Sequence, residues 1–441
     1  MALTARFRCI AGCTETFPVT QAVYRCPTCQ GLLEVEHPAS ALEGKSPEDW
    51  KALLRERAQD PAFPNPSGVW AFREWVFPGL QDKDIVTTFE GRSPLLPVPR
   101  LAARWGIGSL AIKQCGHTHT GSFKDLGMTV LVSVAQAAMA EAPAFPRALA
   151  CASTGDTSAA LAAYGALAQI PVFVLLPRGL VSAAQLVQPM AHGARVLALD
   201  TDFDGCMRIV GELANRGLFY LANSMNPLRL LGQQTVAFEI AQSLGFRAPD
   251  WVVLPSGNLG NSAALHAGFS LLLRLGLIER LPRLCIAQAE RANPMVQAYR
   301  AQAAQVTPMA AGNTLATAIQ IGAPVSAPRA LRAMAAMNGV AMDATENELA
   351  DAAAEADRFG LFSCPHTAVA LAATKKLRQA GTIAASDEVV VVSTAHGLKF
   401  TEFKSGYHEG TLPGIHSERA NAPTMLPADA DIVAEAVRSA S

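Results

Sequence analysis

No stretch of this chain approaches eighteen uninterrupted apolar residues, so neither a membrane-spanning helix nor a membrane partner is expected. Its N-terminus lacks a charged segment followed by an apolar one, so no secretory signal is expected and the cytoplasm is the expected location. Charge is sparse and balanced: 17% of residues are Asp, Glu, Lys or Arg, and the net charge is -1. Without a surplus of positive charge there is no electrostatic footprint for a polyanion, and nucleic acid is not an expected partner. No internal repeat is present. The nine cysteines are odd in number and mostly isolated within apolar stretches, which argues against a disulfide framework and for reduced thiols. What the chain does have is length and apolar content. Its 441 residues, half of them hydrophobic, exceed one ordinary core and predict a soluble globular protein of two or more domains.

The segment Thr120-Gly121-Ser122-Phe123-Lys124-Asp125 sets a lysine among small and hydroxylic residues, ahead of a strongly apolar run over 130–140. That run reads as a buried helix with Lys124 at its entrance. A partly desolvated ammonium favours its neutral amine, the form that attacks an aldehyde. A helix-start lysine with its head in solvent is the other reading, and this segment alone does not separate the two. Two loops bear on the choice. Ala152-Ser153-Thr154-Gly155-Asp156-Thr157-Ser158 follows an apolar run over 148–151 and precedes a helical pattern over 159–168. Pro255-Ser256-Gly257-Asn258-Leu259-Gly260-Asn261 follows a strand-like 251–254 and precedes a helix over 262–275. A strand, a hydroxyl- or glycine-rich turn and a helix N-terminus make an anion site, because free N–H groups and the positive end of the dipole meet there. Each loop alone is also ordinary turn and capping chemistry. A poised lysine together with two anion loops reads as a site for an anionic aldehyde cofactor.

From Ser93 onward, short apolar runs at 172–176, 195–199, 251–254, 284–288 and 388–392 alternate with helical stretches such as 228–244 and 346–359. This predicts α/β layers with mostly parallel sheets. Residues 38–80, rich in proline, charge and tryptophan, read as a connecting arm with one helix around 47–57. The tail after Asn421 is rich in Ala, Pro and Asp and ends in an amphipathic run over 431–437.

Residues 1–37 are separate in character. Cys9-x3-Cys13 and Cys26-x2-Cys29 are two knuckles twelve residues apart, and each can supply two thiolates to one tetrahedral zinc. Four thiolates would close the site, so a metal there would be structural. A ribbon without metal, or cysteines packed as small hydrophobes, are the alternatives. Residues 1–37 hold three Arg and three Glu, so the ribbon carries no basic footprint for nucleic acid. No other motif requires a residue from this block, and a zinc module separable from the chemistry is expected.

These motifs, in this order, resemble threonine synthase, a family of fold-type II pyridoxal-phosphate enzymes, and its plant-type branch most closely. The run from His119 through Lys124 to Val130 is similar to the family's lysine segment, and Cys151 through Ser153 and Asp156 to Ala160 to its substrate loop. Asn223-Ser224-Met225-Asn226-Pro227-Leu228-Arg229 is similar to its Asn-Ser-x-Asn-Pro-x-Arg element, and Ser393-Thr394-Ala395-His396-Gly397-Leu398-Lys399-Phe400 to its late loop at the cofactor ring. The resemblance implies two open α/β domains with mostly parallel sheets: a large cofactor domain over 81–140 and 222–415, and a small one over 141–221. A zinc-ribbon-like module over 1–37 and the arm over 38–80 would precede them, and a tail over 416–441 would follow.

The implied reaction converts O-phospho-L-homoserine and water to L-threonine and phosphate by γ-elimination and β-addition, the last step of threonine biosynthesis. Lys124 would hold the cofactor aldehyde and then shuttle protons at Cα and Cβ. Ser256, Gly257, Asn258, Leu259, Gly260 and Asn261 would cradle the cofactor phosphate, Asp156 would lie beside the ring hydroxyl, and Thr394 would hydrogen-bond the ring nitrogen. Ser153, Thr154 and Thr157 would take the substrate carboxylate or phosphate, with Asn223, Ser224 and the forked Arg229 on the phosphate. A homodimer is the implied assembly. Asp156 departs from the Asn of many relatives, and Thr118-His119 from their Asn-Pro; both are features of the plant-type branch. His119, His396 and Lys399 receive no chemistry, and residues 38–90 match too poorly to carry over a site for S-adenosylmethionine. A same-fold enzyme such as threonine dehydratase would not need the Asn223–Arg229 element. A non-catalytic relative would require a broken lysine or cradle.

Overall fold

The computed structural model describes residues 3–153, 155–179 and 183–440. Three sheets organise it. The first is antiparallel, with β1 (Arg6–Cys9) between β2 (Thr16–Pro18) and β3 (Leu33–Glu36). Alternation sets its faces: Phe7 and Cys9 point inward, while Arg6 and Arg8 are exposed and Arg8 pairs with Glu34 at 2.7 Å. β4 (Leu95–Pro97) then runs antiparallel to β5 (Ser109–Gln114). The chain leaves to build a parallel sheet from β6 (Leu149–Ala152), β7 (Val172–Pro177), β8 (Arg195–Leu199) and β9 (Tyr220–Leu221), in spatial order β8-β7-β6-β9. It returns through β10 (Trp251–Pro255), β11 (Arg283–Ala289), β12 (Val340–Ala344) and β13 (Glu388–Ser393). These complete a six-stranded sheet ordered β12-β11-β10-β13-β5-β4, parallel except for β4.

Strands covered on both faces are apolar throughout, as the Val389–Val392 run of β13 and all of β6 are. β5 and β12 carry polar residues that hide them from that pattern. Lys113 of β5 is fully buried against Glu239 and the Ser93 carbonyl. Asp343 of β12 accepts from Asn293 at 2.8 Å and Arg300 at 2.8 Å. The helix expected over 228–244 forms as two pieces, Leu228–Gln233 and Thr235–Ser243, and at the join the Gln234 side chain donates to the Trp75 carbonyl at 2.9 Å.

The arm over 38–80 is more than a connection. Trp50, Trp70, Phe72, Trp75 and Phe77 are all buried, and Trp75 lies edge-on to Trp50 at 5.3 Å and to Phe238 at 5.0 Å. Trp70 Nε1 donates to Thr129 in the Lys124–Glu141 helix at 2.8 Å. Each phenylalanine buried this way contributes about 1.5–3 kcal/mol, so this segment holds the lysine helix in place. Among the described residues no helix is long and apolar enough to cross a membrane.

Candidate active site and cysteine cluster

The Lys124–Glu141 helix begins at the lysine itself, and its approach is laced to the segment after β13. Phe123 N donates to the Thr394 carbonyl and His396 N to the Gly121 carbonyl, each at 2.9 Å. Gly121 sits at φ +78°, where a Cβ would press on the Lys399 side chain at 3.0 Å, so the turn needs glycine. Below it the buried Asp125 accepts from the Thr120 amide at 2.8 Å and the Thr118 hydroxyl at 3.0 Å, and burial holds its carboxyl up at about 6. Burial lowers the Lys124 ammonium to about 8, against the opposing pull of Asp156 and with help from the Arg229 charge. The nucleophilic amine is therefore accessible just above neutral pH.

Lys124 opens into a cavity of about 1610 Å³ that the ends of both parallel sheets share. Ser256 to Asn261 line one part of it. There the Gly260–Arg274 helix starts, and its first amides have no partners inside the helix. Leu259 holds φ +64°, and a Cβ on Gly257 would meet Ile319 Cα at 2.9 Å. Asn261 is buried with both amide atoms unpaired. An orphaned buried polar group costs roughly 1–3 kcal/mol, which a phosphate against this loop would offset.

Arg229 marks a second anion position. Its guanidinium is buried, Nη1 donates to the Ala222 carbonyl at 3.2 Å, and Nε has no partner. Burial lowers it to about 10, so at neutral pH it remains a cation, and no carboxylate pairs with it among the described residues. Ser224 and Thr157 line the same space. The Ser153 hydroxyl accepts from the Gly155 amide at 3.3 Å, and Thr154 lies outside the described residues. Asn223 also lines the cavity, but its side chain donates to the Ala152 carbonyl at 2.8 Å and accepts from the Ala152 amide at 3.0 Å. That amide fixes the end of β6 and is not free to act as a phosphate fork.

Lys399, to which the sequence alone assigns no chemistry, reaches into the same cavity. Its Nζ lies 3.2 Å from Asp156 Oδ1 and donates to the Thr120 carbonyl at 2.8 Å and to Gln188 Oε1 at 2.9 Å. The signal was there in part, since a carboxylate at 156 needs a counter-charge. Thr394 is buried on the cavity wall, its amide donating to Thr367 Oγ1 at 3.1 Å and its hydroxyl 3.8 Å from Cys364 Sγ. His396 caps the Gly397–Phe400 turn, its Nδ1 accepting from Leu398 N at 3.2 Å. His119 packs on His192 with ring centres 5.9 Å apart.

At the N-terminus the sulfurs of Cys9, Cys13, Cys26 and Cys29 lie within 4.8 Å of one another. Ala11 N donates to Cys9 Sγ at 3.3 Å and Gly31 N to Cys29 Sγ at 3.4 Å. The Cys29 and Thr28 amides lower Cys26 to about 7, despite its partial desolvation. Four soft donors at tetrahedral reach, with amides turned toward sulfur, fit a thiolate-bound zinc. The ribbon is not separable from the rest, however. Phe7, Val19, Tyr24 and Leu33 belong to the main hydrophobic core, because so small a sheet has no second layer of its own. The Tyr24 hydroxyl accepts from Leu221 N at 2.9 Å and donates to the Phe219 carbonyl at 3.3 Å, pinning the ribbon to β9.

The sequence profile described as pyridoxal-phosphate dependent enzyme matches residues 86–395. The chain is 48% identical to threonine synthase 2, chloroplastic, of Arabidopsis thaliana over 418 residues, covering 94% of this chain and 80% of that one. It is 39% identical to threonine synthase of Methanocaldococcus jannaschii over 393 residues, covering 89% and 92%. The solved structure of pyridoxal-phosphate-bound threonine synthase from Brucella melitensis superposes with a TM-score of 0.67 at 18% identity, covering 99% of both chains, and shows the shared fold.

Proposed function

Because this chain belongs to the threonine synthase family of pyridoxal-phosphate dependent enzymes, we propose that its cavity converts O-phospho-L-homoserine and water into L-threonine and phosphate. The chain is a lyase of threonine biosynthesis. Pyridoxal phosphate, when bound, supplies an electron sink for charge that develops on the substrate carbons. Ser256 to Asn261 would hold the cofactor phosphate on free amides of the loop and the helix start, and the Thr394 hydroxyl would meet the ring nitrogen. Lys124 Nζ would fix the aldehyde, then take and return protons at substrate Cα and Cβ. Asp156, its charge balanced by Lys399, would sit beside the ring hydroxyl without repelling it. Ser153 and the helix start at Asp156–Thr157 would orient the substrate carboxylate. Ser224 and Arg229 would receive the phosphate as it leaves Cγ, with Asn223 positioning this wall.

The observation that carries this reading is the buried, carboxylate-free Arg229 in one cavity with Lys124 and the Ser256–Asn261 loop. On this reading one chain would offer separate places for two phosphates. Purified protein should show a visible cofactor band and release phosphate and threonine from O-phosphohomoserine in equal amounts. Turnover of threonine to a keto acid, with none of O-phosphohomoserine, would sink the assignment. The four N-terminal cysteines are proposed as a structural zinc site, with close to one zinc per chain expected by metal analysis. A cytoplasmic setting suits the nine unbridged cysteines, and a homodimer is the proposed assembly, checked by light scattering.

A further inference from the structure

We propose that the N-terminal ribbon is a positioning element for the cofactor-phosphate loop, with Arg329 as the link, so that metal on the cysteines and cofactor in the cavity tighten each other. The inference rests on the cofactor and zinc readings above. The Ala327–Ala336 helix carries two arginines that reach into the ribbon. Arg329 is buried, and its Nη2 donates to the Leu33 carbonyl in β3, the residue paired across from Cys9 in β1. Arg332 Nη2 donates at 2.6 Å to the carbonyl of Ile10, next to Cys9 in sequence.

The other end of the link lies at the cavity. Arg329 Nη1 approaches Ser326 Oγ at 3.4 Å, and the Ser326 amide donates to the Asn258 carbonyl at 3.1 Å. Val325 N reaches Asn258 Oδ1 at 3.4 Å, so both strands of the contact end on the residue at the centre of the phosphate loop. The buried Arg329 guanidinium has no carboxylate within 4 Å among the described residues, Glu34 acting on it only from farther away, so its nearest compensation in the ribbon is the Leu33 carbonyl. That carbonyl is set by the β1–β3 register, and Cys9 closes that register. A ribbon that packs differently without its metal would move the Leu33 carbonyl, and that shift would reach Asn258 through hydrogen bonds already present.

Coupling of this kind is reciprocal. The test uses the full-length holoprotein, zinc removal by a chromogenic chelator, and pyridoxal phosphate titrated by absorbance. Stripping zinc should weaken pyridoxal phosphate binding by about fivefold or more, and stripping the cofactor should weaken zinc retention by the same factor. Arg329→Met should keep both sites yet abolish the dependence, and Arg329→Lys should restore part of it. If Arg329→Met does not fold, Arg332→Met should still reduce the coupling. Equal cofactor affinity with and without zinc, or undiminished coupling in Arg329→Met, overturns the inference alone. Protein that carries no zinc, or zinc-loaded protein that takes no cofactor, ends the corresponding reading and the inference with it.

Discussion

At Lys124 burial outweighs the pull of Asp156, with Arg229 and Lys399 acting in the same direction as burial, and the ammonium is left near 8 where a free lysine titrates at 10.5. A depressed value means the proton is lost as pH rises past 8, so the nucleophile accumulates on the alkaline side. Capture of pyridoxal phosphate by the apoprotein should therefore accelerate with pH and level off above about 8, as followed by absorbance. A midpoint near that of a free lysine would refute the desolvation argument. Lys124→Ala should lose this capture and all turnover while its circular dichroism matches the parent. Arg229→Ala should leave the cofactor band intact and lower kcat/KM for O-phosphohomoserine by about ten- to a hundredfold, the worth of one charge-assisted bond. An equal loss of cofactor would place Arg229 in the scaffold. Lys124, the Ser256–Asn261 loop and the four cysteines were legible in sequence because their chemistry is carried by near neighbours. Lys399 was not, since its partners come from residues 120, 156 and 188 and only the folded chain assembles them. Nor could the sequence say that Asn223 uses its amide on Ala152.

Among the elements, the turn before the lysine helix, the Asp156–Leu167 helix and the Ala183–Ala191 helix meet at one ammonium, that of Lys399. It ties an element of the four-stranded sheet's layer to the loop that presents Lys124. Lys399→Met removes a like charge from the neighbourhood of Lys124 and leaves Asp156 unopposed, and both changes favour the ammonium. Cofactor capture in that variant should shift its midpoint upward from about 8, and an unchanged or lower midpoint would remove Lys399 from the electrostatics of the site. Strands such as β6, β10 and β13 announced themselves as apolar runs because both faces are covered. β5 and β12 were invisible to that rule because Lys113 and Asp343 are satisfied by partners far along the chain. The same limit applies to the arm, whose tryptophans suggested a linker by composition and fill the core in fact.

Over the whole molecule, the order of chain and the order of space disagree in the six-stranded sheet. β5 pairs with β13, Ser109 lying beside Glu388, while the four-stranded sheet is complete by Leu221. A chain emerging from the ribosome would therefore hold β5 with one edge uncovered for roughly 280 residues of synthesis. Pairings this distant are slow, because the loop must close before any contact compensates for it. Pulse-labelled refolding should accordingly protect the amides of β6 and β7 before those of β5, and simultaneous protection would show that the sheets form as one unit. The same threading leaves that strand edge open until residues 388–393 have been made, so a ribosome stalled between Leu221 and Glu388 presents a nascent chain that invites chaperone capture.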